Sequence, residues 1–336
     1  MDIKQILLAS RPDGMPDMNN FSTTTATLPD ITDGQVLVKP VYISVDPYLR
    51  GRMKEEKSYI PPFRINEPIE SGGVGEVIAS KDSRFREGDL VIPTGKKPFF
   101  PWATAAIFTG DTLRKTDPGV PPTYYLGILG MPGLTAYFGL MDIGKPKSGE
   151  TVVVSGAAGA VGLVVGQIAK IQGCRVVGIA GGPEKIRLLT DEFNFDAAVD
   201  YKDNLNISAA IASACPNGVD VYFDNVGGPV SDAVMEHLNF FARIPVCGSI
   251  SLYNSTETPT GPRVQPTLTK FSVLMQGFTI GNYAGRYHEG MQQLVEWVKA
   301  GKIRYRETIE EGFDKLPEAL LGLFSGRNSG KMIVKV

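Results

Sequence analysis

The sequence predicts an α/β protein in which a doubly wound, parallel six-stranded sheet accompanies a separate β-rich domain. Residues 1 to about 122 consist of short strands broken by Gly and Pro, whereas from residue 151 apolar strand runs alternate with helix-length stretches. Because such alternation forms right-handed βαβ units, the second pattern indicates a parallel sheet buried on both faces. A length of 336 residues also suits two domains better than one.

The β-rich part contains apolar runs that end at turn residues such as the cluster REGD (86–89). Its strand candidates are QVLVKPVYISV (35–45), IESGGVGEVIAS (69–80) and GDLVIP (88–93).

The second part contains six strand candidates with helical stretches between them. The predicted strands are TVVVS (151–155), RVVGIA (175–180), AAVD (197–200), VDVYFD (219–224), RIPVCGS (243–249) and SVLMQGFTI (272–280). Helices are predicted near 160–172, 183–193, 204–214 and 228–238, and over 286–299.

The tail after this last helix has a strand, a short helix and a final strand. We expect these strands to pair within the amino-terminal β domain, which makes that domain discontinuous. The predicted domains are therefore 1–122 with 303–336, and 123–302.

The charge balance disfavours two classes of partner. Lys and Arg number 34 and Asp and Glu number 36, which gives a net charge of −2 with no long basic block. Nucleic acid and anionic membranes are thus unexpected as partners. No segment is apolar over a length that could cross a bilayer, and we expect a cytoplasmic protein.

Cysteine and histidine are scarce. Cys174, Cys215 and Cys247 lie far apart, and none belongs to the close pair that a structural zinc or redox site needs. The chain has two histidines, His237 and His288, so a hydrolytic triad that depends on histidine is not expected.

The strongest motif is a glycine-rich turn between a strand and a helix. TVVVS is followed at once by GAAGAVG (156–162) and then by GLVVGQIAK. In this context backbone N–H groups and the helix dipole can meet a pyrophosphate. The sequence therefore predicts a dinucleotide site.

The end of the second strand of this domain indicates which dinucleotide binds. Where NAD-binding folds place an acid for the ribose 2′-hydroxyl, this chain has Ala180, Gly181 and Gly182. Lys185 follows, and Tyr201 is a second candidate to line the adenosine pocket. A cation there favours a 2′-phosphate, so we predict NADP(H). The alternative is that Glu184 reaches the ribose, which would favour NAD.

Six motifs carry a family resemblance over nearly the whole chain. They are VYISVDPYLRGRM (41–53), GMPGLTAYFGL (130–140), SGAAGAVG (155–162), DNVGG (224–228), RIPVCGSISLYN (243–254) and GRNSGKMIVKV (326–336). The chain resembles the zinc-independent medium-chain dehydrogenases/reductases, in the branch of prostaglandin, curcumin and alkenal double-bond reductases. The resemblance implies a GroES-like β-barrel domain, a Rossmann domain between its two portions, and a cofactor cleft between the domains.

Zinc alcohol dehydrogenases share this domain plan and take their catalytic metal ligands from the β domain. The first 122 residues here contain neither Cys nor His. A catalytic zinc is therefore not expected, and hydrogen bonding must assist the hydride transfer.

The resemblance also implies a set of cofactor residues. It assigns the pyrophosphate to the turn at 159–162, the 2′-phosphate to Lys185 and Tyr201, and the rest of NADPH to Asn225, Asn328 and the stretches 247–253 and 278–284. The residues selected are Gly159, Ala160, Val161, Gly162, Lys185, Tyr201, Asn225, Cys247, Gly248, Ser251, Tyr253, Phe278, Ile280 and Asn328.

Tyr253 is the predicted catalytic residue. Reduction of a C=C bond conjugated to a carbonyl leaves an enolate, which needs a hydrogen-bond donor at oxygen and a proton at the α carbon. A phenol supplies a donor without a metal, although Tyr253 could instead hold the cofactor ribose or only pack. Tyr48 and Tyr59 are predicted to bind substrate.

We therefore expect an NADPH-dependent enone or enal reductase that acts on a small molecule as a homodimer. Three alternatives stay open: a quinone reductase of the same fold, an NADPH-binding protein without turnover, and a zinc alcohol dehydrogenase. The motifs VDPYLR and SLYN disfavour the first of them.

Overall fold

The computed structural model describes residues 1–95, 98–203 and 206–336. Its strands are β1 (Asp2–Leu8), β2 (Phe21–Thr27), β3 (Gln35–Ser44), β4 (Glu70–Ser71), β5 (Gly73–Ser80), β6 (Leu90–Pro93), β7 (Phe100–Pro101), β8 (Ala106–Thr109), β9 (Leu113–Lys115), β10 (Thr151–Ser155), β11 (Arg175–Ala180), β12 (Ala197–Asp200), β13 (Val219–Phe223), β14 (Leu238–Val246), β15 (Leu274–Gly277), β16 (Glu307–Glu311) and β17 (Lys331–Lys335).

The α-helices alternate with the strands in the second half of the chain. They are α1 (Tyr48–Arg52), α2 (Met131–Phe138), α3 (Ala160–Ile171), α4 (Pro183–Arg187), α5 (Ile207–Ala214), α6 (Gly228–Met235), α7 (Gln265–Phe271), α8 (Tyr287–Lys299) and α9 (Leu316–Ser325). Helices α2 and α4 each continue into a π-helical turn, Gly139–Gly144 and Leu188–Glu192.

The chain divides into two compact units. The first comprises Met1–Gly127 and Glu307–Val336, and the second comprises Ile128–Arg306. The first unit continues past residue 122 because Tyr125 and Leu126 pack against Val74 and Ile333 in its core.

The first unit is built on a mainly antiparallel sheet. Described strands pair in the order β16, β17, β3, β5, β6, β9, and β8 also pairs with β3. The carboxyl-terminal β17 thus lies between β16 and β3, with Ile333 opposite Ser44. The carboxyl-terminal tail thus supplies a strand to the sheet of the first unit. A second apolar layer surrounds Trp102, Leu49 and Leu320, all fully buried.

The second unit is a Rossmann sheet with helices on both faces. Its described strands are all parallel, in the order β12, β11, β10, β13, β14, β15. Every residue of β10 is buried, as expected for a central parallel strand. The chain order reverses between β10 and β13, and the predicted parallel α/β sheet is confirmed. In such sheets ligands bind at the carboxyl ends of the strands, beside this reversal.

Several predicted bounds are wrong. Strand β14 starts at Leu238 and not at residue 243, because Phe241 takes a left-handed conformation (φ 62°) that keeps an irregular segment paired with β13. Helix α6 consequently ends at Met235. Strand β15 ends at Gly277, since Thr279 opens a capping box. Helix α5 starts at Ile207 with Asn206 as its cap, while residues 204 and 205 lie outside the described residues.

Candidate active site

The glycine-rich turn forms a tight strand-to-helix junction. Strand β10 ends at Ser155, Gly156 takes a positive φ of 59°, and Gly159 donates its N–H to the Gly156 carbonyl at 3.0 Å. A Cβ on Gly162 would lie 2.4 Å from that same carbonyl oxygen. Only small residues allow this junction, which leaves the first turn of the twelve-residue α3 open to a phosphate group. The turn therefore fits the pyrophosphate of a dinucleotide.

Lys185 and Tyr201 lie together at the next strand end. Lys185 belongs to α4, directly after β11, and Tyr201 follows β12 and donates its N–H to the Ala180 carbonyl at 3.1 Å. The Tyr201 ring crosses Gly181, where a Cβ would lie 2.9 Å from the ring. Burial lowers the pKa of Lys185, and the nearby charge of Lys202 lowers it further. Sequence reasoning missed Lys202.

A buried carboxylate connects the strand ends on the other side of the reversal. Asp224, directly after β13, accepts hydrogen bonds at one oxygen from the Ser155 and Tyr222 hydroxyls at 3.0 and 2.8 Å. The same oxygen accepts the N–H groups of Val226 and Gly227, each at 2.9 Å. Sequence reasoning gave Asp224 no role, although its place in DNVGG, just after a buried strand, is a usable signal.

Asn225 is held by the same cluster. Its amide nitrogen Nδ2 donates to the Ser155 carbonyl at 2.7 Å, and its backbone N–H donates to the Ser155 hydroxyl at 3.0 Å. The Asn225 side chain is thus fixed beside the glycine-rich turn, where a Cβ on Gly156 would lie 3.4 Å from it.

The loop after β14 is attached to Asp224 through its backbone. The N–H groups of Cys247 and Gly248 donate to the Asp224 carbonyl at 2.8 and 3.1 Å. Ser251 donates both its N–H and its hydroxyl to the Val226 carbonyl, at 3.1 and 2.6 Å. The structure therefore brings three predicted residues of this loop beside Asn225.

Tyr253 folds back onto the same loop. A Cβ on Gly248 would lie 3.0 Å from the Tyr253 phenol oxygen. Burial raises the pKa of Tyr253, and a hydrogen bond from the Ser249 N–H partly opposes this shift. The phenol thus remains protonated at neutral pH, and an oxygen that accepts one N–H can still donate its own proton.

The stretch 278–284 is fixed by aromatic packing. Phe278 meets Phe223 edge to face with ring centroids 6.2 Å apart, and Tyr283 stacks on Phe138 at 4.6 Å. A Cβ on Gly139 would lie 2.3 Å from the Phe278 ring, so this glycine permits the contact. Ile280 begins the 3-10 helix Ile280–Arg286.

Three predicted residues belong to the first unit. Tyr48 begins α1, and burial, followed by the nearby Asp46 carboxylate, raises its pKa well above the usual value. Tyr59 is 69% exposed in the loop after α1. Asn328 donates its amide Nδ2 to the Gly330 carbonyl at 2.8 Å and so is held in the turn before β17.

The described residues offer neither a metal site nor a membrane-spanning helix. Within 1–95, 98–203 and 206–336, no group of three or more His, Cys, Asp or Glu side chains could hold a metal ion. Over the same residues, every helix is too short or too polar to span a bilayer. The cytoplasmic location stays a prediction.

Comparison with known proteins identifies the family. Residues 4–116 match the family described as the N-terminal domain of oxidoreductase, and residues 160–300 match the one described as zinc-binding dehydrogenase. The chain is 55% identical to the putative NADP-dependent oxidoreductase YfmJ of Bacillus subtilis, over 99% of this chain and 97% of that protein. It is 43% identical to the NADP(+)-dependent 2-alkenal reductase of Nicotiana tabacum, over 99% and 97%.

A solved structure supports the same family. The NADPH complex of CurA from Vibrio vulnificus superposes with a TM-score of 0.92 at 44% identity, covering 99% of each chain. The prediction of an NADP(H)-dependent oxidoreductase is thereby confirmed at the level of the family. The chain belongs to the medium-chain dehydrogenase/reductase family, in its branch of NADP-dependent reductases of double bonds.

Proposed function

We propose that the protein reduces the C=C bond of α,β-unsaturated ketones and aldehydes. The observation that carries this proposal is the placement of the Tyr253 phenol. It is half-buried and protonated, it accepts a hydrogen bond from the Ser249 N–H, and its loop is bonded through the backbone to Asp224 and Asn225. NADPH, when bound, supplies the hydride. The 43% identity to a 2-alkenal reductase supports the same reaction class.

In this proposal the glycine-rich turn at 159–162 binds the pyrophosphate, and Lys185 with Tyr201 binds the 2′-phosphate. Asn225 presents a fixed amide oxygen beside the turn, because its Nδ2 is already bonded to the Ser155 carbonyl. The stretches 247–253 and 278–284 and Asn328 bind the remaining parts of the cofactor. Tyr48 and Tyr59 are assigned to the substrate.

Tyr253 is assigned to the substrate oxygen. When hydride reaches the β carbon, negative charge develops on the carbonyl oxygen, and a phenol O–H stabilises this enolate by donating a hydrogen bond. The group is suited to donation because burial raises its pKa, so that it keeps its proton over the physiological pH range.

The assay for this function follows NADPH oxidation with enones, enals and quinones, with NADH in parallel and products identified by mass. We expect the saturated carbonyl product and a preference for NADPH. Oxidation with quinones alone would replace the proposal by a quinone reductase. Binding of NADPH without oxidation in the whole panel would favour a protein without turnover.

We also propose a homodimer formed through β15. All four residues of this edge strand are exposed, including Leu274 and Met275, and Phe240 and Phe241 are 65% and 70% exposed on the adjacent β14. An exposed apolar edge favours pairing with a second copy. Met275→Lys should halve the mass measured by light scattering, whereas Ile309→Lys on edge strand β16 should leave it unchanged. A monomeric parent protein would contradict the proposal.

A further inference from the structure

Two lysines converge at the end of β11. Lys185 comes from α4 and Lys202 from the segment after β12, and the charge on Lys202 is close enough to disfavour the charged form of Lys185. In the described parts of the chain, no acidic side chain forms an ion pair with Lys202. Two like charges that are brought together at the end of a strand are typical of an anion site.

The backbone beneath these side chains has no room for a Cβ. A Cβ on Gly181 would lie 2.9 Å from the Lys202 Cε and 2.9 Å from the Tyr201 ring. Both side chains therefore cross the backbone at the position where a dinucleotide fold meets the adenosine ribose. Gly181 fixes the direction of Lys202 as well as that of Tyr201.

The neighbouring acid, Asp200, holds the backbone of this surface. One oxygen of Asp200 accepts the N–H groups of Gly182 and Lys202, both at 2.9 Å. These bonds hold the turn after β11 against the segment after β12, and they place the backbone of Lys202. The Asp200 carboxylate thus positions a cation where an NAD-binding fold would present an acid to the ribose.

We propose that Lys202 is a second cation for the 2′-phosphate of NADP(H), and that Gly181 and Asp200 position it beside Lys185. This rests on the proposed cofactor assignment of Lys185 and Tyr201. A phosphate between two ammonium groups removes their mutual repulsion and gains a charge-assisted hydrogen bond from each. A 2′-hydroxyl does neither, so Lys202 contributes to the preference for NADP(H) over NAD(H).

The test measures the dissociation constants of NADP⁺ and NAD⁺ by calorimetry for the full chain and for Lys202→Met. Methionine keeps the apolar stem over Gly181 and removes only the charge. We expect the constant for NADP⁺ to rise about tenfold, with that for NAD⁺ unchanged. The salt dependence of NADP⁺ binding should weaken, because one cation no longer contributes. Lys202→Arg should retain most of the preference.

Lys299→Met, an exposed lysine at the end of α8, is the matched control and should change neither constant. An unchanged ratio of the two constants in Lys202→Met would overturn the proposal, and so would an equal rise in both. The readout is binding alone. If enones are not reduced but Lys202→Met still loses its preference for NADP⁺, only the proposed reaction fails.

Discussion

The Asp224 carboxylate accepts a hydrogen bond from the Ser155 hydroxyl at 3.0 Å, and this contact connects the ends of β10 and β13. The Asp224 carbonyl accepts two N–H groups of the loop after β14, so one residue fixes the glycine-rich turn, Asn225 and the loop of Tyr253 relative to each other. Asp224 touches none of the reacting atoms in our proposal and is a positioning residue.

Replacing Asp224 tests this role. Asp224→Ala leaves four donors without their acceptor and should lower the free energy of unfolding by about 3 kcal/mol or more. Asp224→Asn keeps an oxygen at the same place and should lower the free energy of unfolding much less. We expect NADPH affinity to follow the same order. Urea unfolding and calorimetry measure both quantities, with the exposed Asp314→Ala as control. Equal effects of Asn and Ala would show that the charge, and not the acceptor, matters.

Gly162→Ala tests the tight junction before α3. The new Cβ would lie 2.4 Å from the Gly156 oxygen, so the turn must open. We expect a loss of about 1–3 kcal/mol in stability and weaker NADPH binding. Gly51→Ala, where a Cβ meets nothing within 4 Å, is the control. Tight NADPH binding by Gly162→Ala would show that the glycine-rich turn does not bind the pyrophosphate.

Tyr253→Phe tests whether the Tyr253 phenol donates a hydrogen bond in the reaction or only packs. The ring remains and the donor is lost, so turnover with an enone should fall about a hundredfold while NADPH affinity changes little. Because burial raises the pKa of Tyr253, its deprotonation should not limit activity below pH 10. Steady-state kinetics measure both parameters, with Tyr42→Phe as control. Unchanged turnover would assign Tyr253 to packing.

A buried ion pair in the first unit gives a stability prediction. Lys331 is 1% exposed and donates to Asp46 at 3.1 Å and to two backbone carbonyls. Lys331→Met leaves the Asp46 charge buried and should cost about 3 kcal/mol or more. Lys335→Met, on the same strand, breaks only an exposed pair with Glu311 and should cost about 0.5 kcal/mol or less. Equal urea midpoints for the two variants would contradict this reading.

The three thiols should resist alkylation. Burial raises the pKa of Cys174 and Cys215 to about 11 and that of Cys247 to about 12. Since the thiolate reacts, roughly one thiol in a thousand or fewer is reactive at pH 8, and rates should rise about tenfold per pH unit up to pH 10. Mass spectrometry after iodoacetamide treatment measures this.

Two comparisons make the thiol experiment specific. All three cysteines should react promptly in urea. NADP⁺ should slow the alkylation of the partly exposed Cys247 in the native protein but not that of the buried Cys174. Equal protection of both would indicate a general stabilisation and not a contact at Cys247.

Local sequence patterns predicted much of this fold. The runs TVVVS and RVVGIA coincide with β10 and β11, because central parallel strands are apolar throughout and end at glycine-rich turns. The start of β14 was missed because the left-handed Phe241 shifts the pairing register without ending the strand, and the sequence gives no sign of that conformation.

The connections within the site were not predictable in the same way. Ser155, Asp224 and Cys247 are far apart in sequence, and only the sheet order brings their strand ends together. Lys202 was missed for a related reason, since its relation to Lys185 depends on the pairing of β11 with β12.

The position of β17 affects the order in which the protein can fold during synthesis. The second unit is a continuous segment and is complete once residue 306 has left the ribosome, whereas residues 42–44 of β3 lack their partner strand until β17 is made. The amino-terminal 127 residues therefore keep this end of β3 unpaired while the later segment is made. Translation that stops before residue 331 would leave this end of β3 unpaired in a chain whose second unit is complete, and an unpaired strand edge favours aggregation.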